Sequence, residues 1–151
     1  MATTLVKLDI HLIFHVKSTS IKLKNDDLSR LFSYVGGIIR EHGAIPMAIG
    51  GMPDHIHILT TLTKSETIIE FVRIIKVNSS KWIKTINRYY NGFEWQEGYG
   101  AFSVSPSLID KTKKYIIFQS EHHKRHSSLE EYKAFLDAYG IQYDERYILN
   151  D

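Results

Sequence analysis

Two short stretches carry side chains able to do chemistry together. In "GGMPDHIHIL", residues 50–59, His55 and His57 alternate with isoleucine; in "YIIFQ", residues 115–119, Tyr115 and Gln119 stand four apart. On a strand, residues two apart share a face with their Cα atoms about 7 Å apart, so both imidazoles can reach one metal ion. The same pattern fits half-buried histidines satisfied by hydrogen bonds. On a helix, residues four apart lie one turn above each other, which presents a phenol and an amide oxygen on one side. An amphipathic helix with a buried tyrosine has that spacing too, so neither stretch identifies itself.

Composition narrows what such a site could hold. The chain has no cysteine, which excludes disulfides and thiolate ligands and leaves nitrogen and oxygen donors, suited to a hard or borderline divalent ion. At 151 residues, 43% hydrophobic and 24% charged, it fits one domain, residues 1–151, with a proper core. Apolar runs such as "IHLIFHV" fall short of a membrane span and no signal-peptide pattern precedes them, so a soluble, cytoplasmic protein is expected. The net charge of +2 says little about a partner, although local clusters of Lys and Arg can still build a basic surface. Seven of the eight histidines fall in groups: His11 and His15, His55 and His57, then His122, His123 and His126.

The elements that must position these groups follow from periodicity. Residues 4–16, "TLVKLDIHLIFHV", read as a strand. Asn25-Asp26-Asp27 offers an N-cap and acidic first turn for a helix over about 26–42, with Gly43 as its stop. "AIPMAIGG" and "HIHILTTL" form a hairpin about Met52-Pro53-Asp54. Thr63 to Glu66 has capping-box spacing, and Ile68, Phe71, Val72, Ile75 and Trp82 recur at helical period to about residue 84. "AFSVS" is a short strand, Ser105-Pro106 opens a third helix containing Tyr115, and a last amphipathic helix starts at Ser127 or Ser128, buries Leu129, Tyr132, Phe135, Leu136 and Tyr139, and stops at Gly140. The order is that of an α+β, ferredoxin-like βαββαβ antiparallel sheet with helices on one face and two C-terminal helices appended. Its third strand, which carries the histidines, is central.

Taken together, "GGMPDHIHIL", "IKVNSSKWI", "WQEGYGAFSVS" and "YIIFQSEHH", in this order and at these intervals, resemble the single-tyrosine HUH transposases of the smallest bacterial insertion sequences, the IS-two-hundred type. The likeness runs from about residue 8 to residue 126. It implies a ferredoxin-like fold, a divalent metal (Mg²⁺ or Mn²⁺) bound by His55, His57 and Gln119, and Tyr115 as nucleophile. It also implies a homodimer, single-stranded DNA with subterminal hairpins as partner, and a bacterial protein associated with the nucleoid when bound to DNA. Gly98 and Gly100 are candidate flexible points for exchange of the tyrosine helix between subunits.

The implied activity is DNA transposition: cleavage and rejoining of single strands through a covalent 5′-phosphotyrosine. A divalent cation can stabilise charge on the phosphate oxygens, and a phenol, with an ordinary pKa near 10, needs nearby positive charge or removal of its proton during attack. Lys111, Lys113 and Lys114 are candidates for the first. For DNA contact, Arg73, Lys76, Ser80 and Lys84 share one helical stripe, a candidate phosphate-binding surface. Trp95, with Tyr99 and Phe102, is a candidate for stacking on unpaired bases. His11 is a candidate neighbour of the metal-binding pair. Two further readings are a domesticated relative that processes host repeat hairpins and a non-catalytic ferredoxin-like nucleic-acid-binding module.

Overall fold

A computed structural model describes residues 2–119 and 127–148. Strand β1 (Leu8–His15) leads into helix α1 (Asn25–Glu41), the hairpin β2 (Pro46–Met52) and β3 (His55–Leu62), helix α2 (Ile68–Ile86) and strand β4 (Gly100–Ser103). Helices α3 (Ile109–Ile117) and α4 (Ser128–Ala138) follow. The sheet is antiparallel throughout, in the order β2-β3-β1-β4, so β1 and β3 are the central pair.

Strand alternation divides the central pair into two chemically distinct faces. Ile10, Leu12, Phe14, Ile56 and Ile58 join Leu31, Val35, Ile39, Phe71, Val72 and Ile75 in the main core, under α1 and α2. The opposite face carries His11, Ile13 and His15 of β1 beside His55, His57 and Leu59 of β3, and α3 and α4 cover it. Both faces are therefore closed, which explains why the histidine strand is nearly continuous in apolar and β-branched residues.

Helix ends differ in detail from what spacing predicts. α2 takes Thr67 as its N-cap, with the hydroxyl accepting from the Glu70 amide at 3.2 Å, so the capping pair is Thr67 and Glu70 rather than Thr63 and Glu66. At the start of α1 the cap position is Lys24, whose amide donates to the Tyr90 hydroxyl; that hydroxyl donates to Asp27. The long loop before β4 thus ties down the helix start. Gly43 and Gly140, the expected stops, both have the left-handed φ that glycine adopts at least cost, 82° and 66°. Among the described residues no helix is long and apolar enough to cross a membrane.

Candidate active site

His55 and His57 are fully buried on β3 and each is held through Nδ1. His55 Nδ1 lies 2.8 Å from an Asp54 carboxylate oxygen, and His57 Nδ1 lies 2.8 Å from His11 Nε2 on β1. Asp54 is in turn held by the Ser128 hydroxyl at 2.8 Å. Anchoring one ring nitrogen fixes the plane of the imidazole and leaves the other directed at a ligand, a usual arrangement behind metal-binding histidines. Here both Nε2 atoms turn toward α3 and α4.

Gln119 meets them from the turn that follows α3. Its Oε1 stands 3.1 Å from His55 Nε2, and the side chain is 1% exposed. The regular helix ends at Ile117, because Phe118 leaves helical geometry at φ −96°, ψ 32°. Gln119 sits just past that end, and its amide nitrogen donates to the Tyr115 carbonyl at 3.2 Å, keeping the turn's geometry locally. Donor atoms on neighbouring corners of a Mg²⁺ or Mn²⁺ octahedron lie about 3 Å apart, so the His55 to Gln119 separation fits two ligands of one such ion. The all-nitrogen-and-oxygen donor set fits it as well.

The Tyr115 ring lies edge-on to His57, with centroids 5.7 Å apart, and its hydroxyl donates to Glu131 of α4. Burial, then this hydrogen bond to a carboxylate, push the phenol well above its usual range. Lys111, Lys113 and Lys114 do not offset this, contrary to the role considered for them. The Tyr115 phenol in this setting therefore keeps its proton, with no standing phenolate.

α3 reaches this position because Gly50 of β2 has no side chain. A Cβ there would lie 2.3 Å from the Ile116 carbonyl oxygen, so helix backbone and strand backbone touch directly. Gly100, considered as a flexible point, has a packing role instead: a Cβ on it would meet the Tyr132 ring at 2.9 Å. Gly98 lies in the loop before β4.

Two groups that bear on the site carried no signal in the sequence. Asp54 reads as a turn residue, although its place next to His55 puts it within reach of that ring. Glu131 is 5% exposed, and its Oε1 lies 2.8 Å from His57 Nε2 and 3.4 Å from His55 Nε2. Among the described residues His55, His57 and Glu131 form a group with ligand atoms within 4.8 Å of one another. His122, His123 and His126 lie outside the described residues.

The imidazoles have divided charge states. Burial and the neighbouring His57 lower His11 to about 3, and burial and His55 lower His15 to about 4. His15 Nε2 is buried without a hydrogen-bond partner. Burial also opposes protonation of His55, but hydrogen bonds from it to Asp54 and Glu131 outweigh that and raise it to about 9. In metal-free protein, the contribution of His11 and His15 is full above their unfolded pKa near 6.5 and is lost as pH falls toward 4 and 3. That of His55 is full below 6.5 and lost as pH rises through 9. Between pH 7 and 5.5 the loss from His11 and His15 together exceeds the return from His55. Urea unfolding in chelator should therefore be hardest near pH 6.5–7; a flat profile from pH 5.5 to 9 would contradict these charge states.

The candidate DNA contacts are not all placed alike. Arg73 is at the surface, paired with Glu70, Lys84 is exposed and Ser80 is half-buried. Lys76 instead folds over the loop before β4, with Nζ donating to the carbonyls of Gln96, Glu97 and Gly98 at 2.7, 3.1 and 2.6 Å. It is a loop clamp, which removes it from the phosphate stripe. Trp95 is corrected more fully: it is 8% exposed, edge-on to Phe14 and Phe93, with its indole donating to Ser79. Its faces are occupied by core, so it is not a stacking platform. Phe102 is likewise buried, under α4.

Comparison with known proteins converges on one group. The family model described as "Transposase IS200 like" matches residues 4–119. The ISDra2 transposase TnpA of Deinococcus radiodurans is 27% identical over 123 residues, covering 78% of this chain and 86% of that protein. A crystal structure of a Deinococcus radiodurans R1 protein solved as a candidate transposase superposes with a TM-score of 0.61 at 24% identity, over 79% of this chain and 95% of that one. The REP-associated tyrosine transposase bound to a REP hairpin superposes with a TM-score of 0.59 at 13% identity, over 82% and 73%.

Proposed function

The chain belongs to the IS200-like transposase family, and from that premise we propose that it cleaves and rejoins single-stranded DNA through a 5′-phosphotyrosine on Tyr115. The observation that carries this reading is the convergence, in one chain, of His55 Nε2, His57 Nε2 and Gln119 Oε1 beside the Tyr115 ring.

His55, His57 and Gln119 are the residues that hold the divalent metal, Mg²⁺ or Mn²⁺. Once bound, the metal supplies Lewis-acid stabilisation of charge on the phosphate oxygens. The protein does the rest. Tyr115 Oη bonds to phosphorus, the 3′ oxygen departs and takes up a proton as a free hydroxyl, and the 5′ phosphate stays on the enzyme. Attack by another 3′ hydroxyl reverses the step, so the ester's energy is conserved and no nucleotide triphosphate is consumed. Asp54 and His11 keep the two imidazoles in the tautomers that aim Nε2 at the site.

Arg73, Ser80 and Lys84 remain the proposed phosphate contacts along α2. Single strands from insertion-sequence ends, with their subterminal hairpins, are the proposed substrate. Homodimerisation is part of the proposal as well. The exposed Ile117 and Phe118 give a second copy apolar surface to cover, and molar mass in solution checks this.

The test uses end-labelled single-stranded DNA from the flanks of the protein's own gene, incubated with Mn²⁺, with Mg²⁺ or with EDTA. The expected product is a denaturant-resistant adduct, formed only with metal and mapped to Tyr115 by mass spectrometry. DNA binding indifferent to EDTA, with no adduct on either flank, would replace this reading with the binding-module one.

A further inference from the structure

The structure assigns to Glu131 the role of a bridging carboxylate: one oxygen is a ligand of the bound divalent metal and the other fixes the hydroxyl of Tyr115. This deepens the function proposed above and rests on it for the identity of the nucleophile. The family match stops at Gln119, so Glu131 belongs to a part of the chain that the match does not cover.

Glu131 stands where a ligand must. Its Oε1 is 2.8 Å from His57 Nε2 and 3.4 Å from His55 Nε2, both near the ~3 Å edge of an octahedron around Mg²⁺ or Mn²⁺. Gln119 Oε1 is 3.1 Å from the same His55 nitrogen. The ligand atoms of His55, His57 and Glu131 lie within 4.8 Å of one another, and Gln119, just past the end of α3, joins them at His55. The other Glu131 oxygen, Oε2, accepts from the Tyr115 hydroxyl, so a single carboxylate joins the donor cluster to the nucleophile.

Charge supports the assignment. Two neutral imidazoles and an amide oxygen are a weak donor set for a hard cation, which prefers anionic oxygen, and one carboxylate supplies it. A carboxylate buried to this degree needs compensating charge; His55 and His57 lie against it, and a divalent ion held by the same imidazoles would take over that role.

α4 holds Glu131 firmly. Ser127 caps the helix by accepting from the Glu130 amide, and the next residue, Ser128, bonds Asp54 at 2.8 Å and approaches His55 Nδ1 at 3.2 Å. One turn later Tyr132 and Leu136 pack with Ile13 and Phe102 on the same sheet face. The helix is therefore docked on both sides of Glu131, against the start of β3 before it and against β1 and β4 after it, and the carboxylate has little freedom to lie elsewhere.

The opposing possibility is that Glu131 occupies the place of a DNA phosphate and α4 covers the site. The two differ in sign. Mn²⁺ binding to the full chain without DNA, followed by the electron paramagnetic resonance of free Mn²⁺, is compared for the unchanged protein, Glu131→Gln, Glu131→Ala and Tyr115→Phe, with circular dichroism confirming that each is folded. We expect both Glu131 variants to weaken Mn²⁺ binding at least about tenfold and Tyr115→Phe to leave it within about threefold. Adduct formation by the Glu131 variants should fall at limiting Mn²⁺ and recover partly at high Mn²⁺. Unchanged or tighter Mn²⁺ binding in the Glu131 variants, with adduct forming as fast or faster, overturns the assignment, as does an unchanged protein that binds no Mn²⁺. If Mn²⁺ binding weakens as expected but the unchanged protein forms no adduct on any strand, Glu131 stands as a ligand and the transposition chemistry falls.

Discussion

Tyr115→Phe should form no covalent adduct with DNA, and strand cleavage should drop by at least about 10⁴-fold, the scale on which removing an enzyme's nucleophile acts. The ring stays, so its edge-on contacts with His11, His57 and Phe135 are retained. What disappears is one hydroxyl and its hydrogen bond to Glu131, worth about 1–3 kcal/mol of stability with a charged acceptor. Fold, Mn²⁺ binding and DNA binding should therefore survive. A labelled strand carried on the protein through denaturing electrophoresis is the readout, and its persistence in this variant would remove Tyr115 from the role of nucleophile.

The second large effect comes from a residue with no chemistry of its own. Gly50→Ala puts a Cβ 2.3 Å from the Ile116 carbonyl oxygen and 3.1 Å from its carbon. Both are backbone atoms that cannot rotate away, so α3 must shift by about 1 Å or more to restore ordinary contact. Misplacing a reacting group on that scale costs about 10²-fold in rate, and Tyr115 is the residue just before Ile116. We expect cleavage to fall at least that far while the protein still folds and His55 and His57, on β3, still bind Mn²⁺. Gly37→Ala is the matched control: a Cβ on this α1 residue meets nothing within 4 Å, and it should be active and about 0.5–1 kcal/mol more stable, as expected for alanine over glycine inside a helix. Equal rates for the two variants would mean that the strand-to-helix contact does not set the position of the nucleophile.

Much of this arrangement can be read from the sequence because it is periodic or local. His55 and His57 are two apart on a strand whose apolar neighbours already imply burial on both faces. Tyr115 and Gln119 are one turn apart, and the whole pattern resembles a known family. The central place of the histidine strand and the helix layer of α1 and α2 follow from the same reasoning, whereas the docking of α3 and α4 on the other face is seen only in the structure. Trp95 reads as a surface residue because it lies in "NRYYNGFEWQEGYG", a stretch polar enough to look like surface. In fact Tyr90, Phe93 and Trp95 all turn inward there and extend the main core, a choice made by tertiary packing that local composition does not record. Lys76 reads as part of a basic stripe because the carbonyls it clamps lie some twenty residues downstream. Glu131 is the hardest case. It is a charged residue beside the core residue Tyr132, and only the docking of α4 on the histidine face decides that it points in.

The pairing of β1 with β3 has one more consequence, for how the chain reaches its fold. His15 lies directly opposite His55, and Ile13 opposite His57, in a ladder that is regular from Leu8 to His15. Sliding β1 by one residue would exchange its two faces: His11 and His15 would enter the hydrocarbon core beside Leu31 and Phe71, and Leu12 and Phe14 would crowd the imidazoles of β3. Each misplaced imidazole would lose its partner in a site without water, at about 1–3 kcal/mol apiece. The histidines of the candidate site thus also proofread the assembly of the central strands, since a misaligned sheet is penalised most at the positions that build that site.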